Sequence, residues 1–119
     1  MLGKHFGRLI HIPGALSANL AITINMPVDC RLRRVSAVAG NDSDATLQIG
    51  VDADADNIMD ATAIGDSGTP TVFDVDDWES TNVTGRLYQG ELLQLVVDYD
   101  GAGGTAAQDL TIDLDFIEG

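Results

Sequence analysis

Asp52-Ala53-Asp54-Ala55-Asp56-Asn57 sets three carboxylates at alternate positions of one short stretch. Carboxylates at positions one, three and five begin a calcium-binding EF-hand loop, because calcium wants six to eight oxygen ligands. The rest of that loop is missing. Position six is Asn57 where a Gly is needed, and position twelve is Ala63 where a bidentate Glu is needed. Asp52, Asp54 and Asp56 therefore remain weak calcium candidates that need an Asp from another loop. The plainer reading is a strand running into an acidic loop, with Asp56 or Asn57 capping a short helix over residues 56–64. A second acidic group, Asp98 and Asp100 with Asp74, Asp76 and Asp77, forms a cation site only if those loops meet at one end of the fold. Otherwise it is a solvated rim, since like charges stay apart in water.

Other reactive constellations are incomplete. His5 and His11 lie six apart with no third His, so they read as surface or interface residues. Gly-x-Ser-x-Gly does not occur, and Gly101-Ala102-Gly103-Gly104 lacks the Lys-Ser/Thr that completes a phosphate loop. Carboxylate pairs are too numerous to single out a glycosidase dyad. Cys30 is the lone cysteine and reads as a buried thiol beside a strand. Trp78, the one tryptophan, is either packed under a loop or a stacking platform for a sugar or protein partner. Asn41-Asp42-Ser43 and Asn82-Val83-Thr84 match the glycosylation pattern, which carries little weight without a secretory signal. No such signal is expected from the first residues, where no long apolar stretch follows the basic ones.

Charge gives the clearest exclusions. The formal net charge is −13, and most of the 19 acids are Asp. Residues 1–40 hold Lys4, Arg8, Arg31, Arg33 and Arg34 against Asp29 alone; residues 41–119 hold Arg86 against all the other acids. This balance opposes nucleic acid and anionic membrane surfaces as partners. It suits high-salt tolerance, divalent cations or basic partner surfaces. Arg31, Arg33 and Arg34 form the one basic cluster. A regular strand puts Arg31 and Arg33 on one face and Arg34 on the other, unless a bulge intervenes. The cluster suits either an acidic neighbour or the chain's own aspartates.

The elements that must position these residues read as strands. Apolar side chains alternate with polar ones in 19–26, 46–52, 91–99 and 109–116, so each strand turns one face to a core. Leu92 and Val96 on the second face of 91–99 suggest a strand covered on both sides. Weaker strands are expected over 6–12, 31–39, 71–75 and 83–88, with a turn-like excursion at 76–80. About eight short strands with Gly, Asn and Asp punctuation predict an all-β, single-domain β-sandwich over residues 1–119. It is expected to be jelly-roll-like with at most one short helix, and residues 1–13 serve as an N-terminal arm or as the first strand.

The alternating runs Leu20–Met26, Leu47–Val51 and Leu93–Tyr99, the hairpin Gly101–Gly104 and the final run Leu110–Phe116 together resemble small virion proteins of tailed bacteriophages, the capsid decoration or cement class. The resemblance implies a non-enzymatic structural protein on the capsid surface of the virion, bound to the major capsid protein and often a homo-oligomer, trimer or dimer. It also implies an N-terminal grip on the shell, so Lys4, Phe6 and Arg8 join Arg31, Arg33 and Arg34 as expected interface residues. Removing residues 1–12 should then abolish attachment and leave a soluble fold. A rival reading is a carbohydrate-binding β-sandwich module, calcium-dependent through the Asp loops, with Trp78, Tyr88 or Tyr99 as platforms. A jelly-roll enzyme has the least support, and a halophilic source would explain the acidity alone.

Overall fold

Period-two alternation builds most of the strands of this chain. The computed structural model describes residues 4–79 and 85–119. Its strands are β1 (His5–Ala15), β2 (Leu20–Asn25), β3 (Cys30–Val38), β4 (Thr46–Val51), β5 (Asp54–Ala63), β6 (Thr71–Asp74), β7 (Arg86–Leu87), β8 (Leu92–Asp98) and β9 (Gln108–Glu118). A 3-10 turn, Val75–Asp77, follows β6. One sheet has the order β1-β9-β3-β6, with the short β7 also on β3; the other has the order β2-β8-β4-β5. All strand pairs are antiparallel. With β6 and β7 counted as two parts of one strand position, this is the order of a jelly roll: eight positions in two four-stranded sheets.

The sheets meet through the predicted stripes. Leu110, Ile112, Leu114 and Phe116 of β9 face Leu93, Leu95 and Val97 of β8, and all are essentially inaccessible to solvent. β8 is central in its sheet, but Leu92 and Val96 on its other face stay half-exposed, so no second layer covers it. No buried side chain among the described residues is polar or charged, so desolvated charge places no burden on the core.

One expectation needs correcting, and one alternative is decided. The helix over 56–64 is strand β5. Its pairing to β4 shifts register twice, between Leu47 and Ile49 and between Ile49 and Val51. Bulges of this kind break the alternation, so adjacent Ile58 and Met59 are both buried. Asn57 caps no helix; its Oδ1 accepts the Val51 N–H at 3.0 Å, repairing the disturbed ladder. The 1–13 segment, for its described part, is a first strand. β1 pairs with β9 from His5↔Ile117 to Ile12↔Leu110, and Phe6, Ile10 and Ile12 pack on the core.

The 83–88 strand is seen as β7, its first two residues lying outside the described part, as does the Asn82-Val83-Thr84 sequence. Of the excursion at 76–80, the described part is the 3-10 turn and Trp78. Trp78 is buried, and its indole N–H donates to the Leu32 carbonyl at 3.2 Å. Leu32 lies between the stretches of β3 paired to β6 and to β7, so the indole replaces a missing ladder partner. Gly85 donates no Cβ to this junction for good reason: one would lie 2.5 Å from the Leu32 carbonyl oxygen and 3.0 Å from Trp78 Nε1, at a backbone φ of +64°.

Candidate functional site: the arginine face of the five-stranded sheet

β3 is the strand that presents the basic cluster. Its pairing to β9 runs Leu32↔Phe116 and then Arg34↔Asp115, which leaves Arg33 as one extra residue. The bulge resets the alternation. Leu32 and Val35 both point into the core, while Arg31, Arg33 and Arg34 are all exposed. A regular strand would have turned one arginine inward. β7 adds a fourth cation to the same outer face, because Arg86 pairs directly with Arg31 while Cys30 and Leu87 pair inward. Like charges directly opposite one another on a sheet are destabilising.

The acids do not cancel this cluster. Arg34 sits in register between Asp74 and Asp115. Yet among the described residues no Arg or Lys nitrogen lies within 4.0 Å of an Asp or Glu carboxylate; the one basic–acidic contact is His5 Nδ1 to Asp115 at 3.5 Å. Arg33 Nη1 lies 3.2 Å from His5 Nε2. Arg86 donates to the Gly119 carbonyl and its guanidinium lies 5.8 Å from the Tyr88 ring centre, a cation–π arrangement. Around the arginines stand uncovered apolar side chains. Leu9 on β1 is 66% exposed, Val72 on β6 is 45% and Tyr88 after β7 is 55%. The face combines Arg forks with apolar and aromatic contacts, the composition of protein-binding surfaces.

The other expected interface residues lie elsewhere. Lys4 is exposed just before β1. Phe6 is turned inward and stacks on Phe116 with ring centres 4.9 Å apart. Arg8 is exposed at the open margin between the sheets, beside Ile24 and Met26.

The carboxylates are dispersed. Asp52 sits in the β4–β5 turn at φ +55° and accepts the Leu92 N–H at 3.0 Å. Asp54 and Asp56 follow it on β5, and contact with the Asp54 side chain raises the Asp56 pKa from its ordinary value, helped by desolvation and by the charges of Asp54 and Asp60. Asp98 and Asp100 lie near the β3–β4 loop, since Asp98 pairs with Thr46, whereas Asp74 pairs with Arg34 and leads toward the other end. The second acidic group is therefore split between the two ends of the sandwich. Among the described residues no three His, Cys, Asp or Glu side chains converge as a metal cluster would require.

Cys30 begins β3 fully buried, with Met26 Sδ 3.8 Å away; burial pushes its thiol up, and Asp29 and Glu118 add to this against the opposing charge of Arg86. His11 Nδ1 lies 2.8 Å from Thr111 Oγ1 on the neighbouring strand. Trp78 is unavailable for stacking, and Tyr99 is only half-exposed. Sequence reasoning missed Arg86 as a member of the cluster; a weak strand was legible around it, but not the strand it pairs with. No helix of the described residues is long and apolar enough to cross a membrane. Comparison with family models, with curated proteins and with solved structures yields no match for the chain.

Proposed function

We propose that this chain is a non-enzymatic structural protein that docks the outer face of its five-stranded sheet onto a carboxylate-rich protein surface. We further propose that this surface is the outside of a tailed-phage capsid, so that the chain serves as a decoration or cement protein of the virion, bound to the major capsid protein. One observation carries the docking reading. Arg31, Arg33, Arg34 and Arg86 share one face without a carboxylate in contact, in a chain whose net charge is −13. Gathering like charges costs stability, and a partner that supplies carboxylates returns it on binding. Arg forks take carboxylates two-pronged, and Leu9, Val72 and Tyr88 supply the apolar contact beside them. Repetition on a lattice turns modest single contacts into durable attachment.

The test is co-sedimentation with capsids assembled from the major capsid protein of the same genome. Saturable binding is expected, weakening as salt is raised. The Arg31→Glu/Arg34→Glu variant should bind at least about tenfold more weakly, as reversed charges at an interface do. Failure of the wild-type chain to bind would sink the capsid assignment. Binding indifferent to both substitutions would sink the arginine face.

A further inference from the structure

The two long margins of the sandwich are unlike in a way that strand order alone creates. β1 and β2 stand at one margin, as the first strands of their respective sheets. β5 and β6 stand at the other, tied together where the Glu79 N–H donates to the Ile58 carbonyl at 2.6 Å. The β1/β2 margin has Arg8, with Lys4 just ahead of it, and neither strand contains an acid. The opposite margin has Asp54, Asp56 and Asp60 on β5 and Asp74, Asp76 and Asp77 around β6; its one cation among the described residues is Arg86 on β7, which shares the β6 position beside β3.

Shape follows charge. At the basic margin the sheets part, leaving a cavity of about 210 Å³ lined by Phe6, Phe116, Ile24 and Met26, with Arg8 beside them. It is large enough to admit an aliphatic side chain with room to spare. Among the described residues, Arg8 has no carboxylate within 4.0 Å and β1 has no strand beyond it in its sheet. At the acidic margin Val75 is 48% exposed, an isolated apolar knob between Asp74 and Asp76. The turn that holds it is stiffened by reciprocal caps: Asp74 accepts the Asp76 N–H at 3.0 Å, and Asp77 accepts the Asp74 N–H at 2.9 Å.

We propose that the groove between β1 and β2 receives the Val75–Asp77 turn of a second copy of this chain, with Val75 seated against Phe6 and Ile24 and Asp76 facing Arg8. Charge complementarity selects this occupant: the groove is cationic and apolar, and the turn is anionic with one apolar side chain. The two patches differ, so the contact is head-to-tail and continues as a ring or an open filament. It uses neither Arg31 nor Arg34, although the turn adjoins the arginine face, where Asp74 pairs with Arg34.

Native mass spectrometry and sedimentation velocity of the full chain, from micromolar to millimolar concentration, provide the test. Assemblies that grow with concentration are expected. Arg8→Glu, Asp76→Lys and Val75→Asp should each weaken association by about tenfold or more. Mixing the Arg8→Glu and Asp76→Lys chains should restore it, because each variant supplies the half that the other has reversed. Far-ultraviolet circular dichroism and Trp78 emission report whether each variant is folded. A wild-type chain that stays monomeric throughout overturns the proposal, and so does association that survives all three substitutions or is not rescued by mixing. Arg31→Glu should leave the assembly mass unchanged while weakening capsid binding, so the two readings fail separately.

Discussion

Aspartate outnumbers glutamate here because a short carboxylate reaches the backbone of a turn. Asp29 accepts the Gln89 N–H at 2.9 Å, Asp44 that of Thr105 at 2.8 Å, and Asp109 that of Gly14 at 2.8 Å. The first two tie one connection to another and the third ties the end of β1 to the start of β9; side chain–backbone bonds of this type are what Asp makes most readily. The acidity is thus partly architectural. Asp56 is the exception, since its neighbours penalise its charge. The Asp54 side chain is the main reason its pKa is raised. A carboxyl that holds its proton more tightly in the folded chain stabilises the fold below the unfolded pKa, and that contribution is lost as pH rises through the folded value. Asp56→Asn should therefore raise Tm slightly at pH 7. Below the ordinary carboxylate pKa the two proteins should melt together, and thermal scans across that range would show the convergence or its absence.

At the level of elements, sequence legibility followed regularity. The stripes of β2, β4, β8 and β9 alternate, and the side chains expected on their inward faces are those turned to the core, though Leu92 and Val96 of β8 are not covered as expected. β5 was not legible, because two bulges destroy its period and its Ala and Met residues read as helical. The candidate site was half legible. Three arginines in four residues are visible in any reading, but the direction they face depends on one surplus residue that pairing with β9 reveals. The acidic and basic margins were invisible, since charge polarity across a sandwich belongs to strand order. β1 shows what such order implies for stability. Its full-length pairing with β9 and its inward Phe6, Ile10 and Ile12 make it part of the core. Removing residues 1–12 should strip three apolar side chains from contact at roughly 1.5–3 kcal/mol for each fully buried one, less for these half-buried ones, and leave β9 with a naked edge. Denaturant unfolding should show a large loss of stability or an insoluble product; an unchanged midpoint would refute this account of β1.

For the whole molecule, a charge of −13 on a body measuring 45 × 24 × 24 Å acts on itself. Only one basic–acidic side-chain contact within 4.0 Å is formed among the described residues, so added salt has little attraction to screen and much repulsion. Tm should climb as sodium chloride is raised from millimolar toward molar levels, and calorimetry showing a flat or falling trend would contradict this. The same salt should loosen any docking through the arginines, so stability and attachment should respond in opposite directions. The bulge at Arg33 has a last consequence. Because that residue is surplus to the ladder, it can be lost, or another gained beside it, without moving Leu32 or Val35 from their inward seats. Descendants of this chain can thus retune the electrical character of one face while inheriting their hydrophobic interior unaltered.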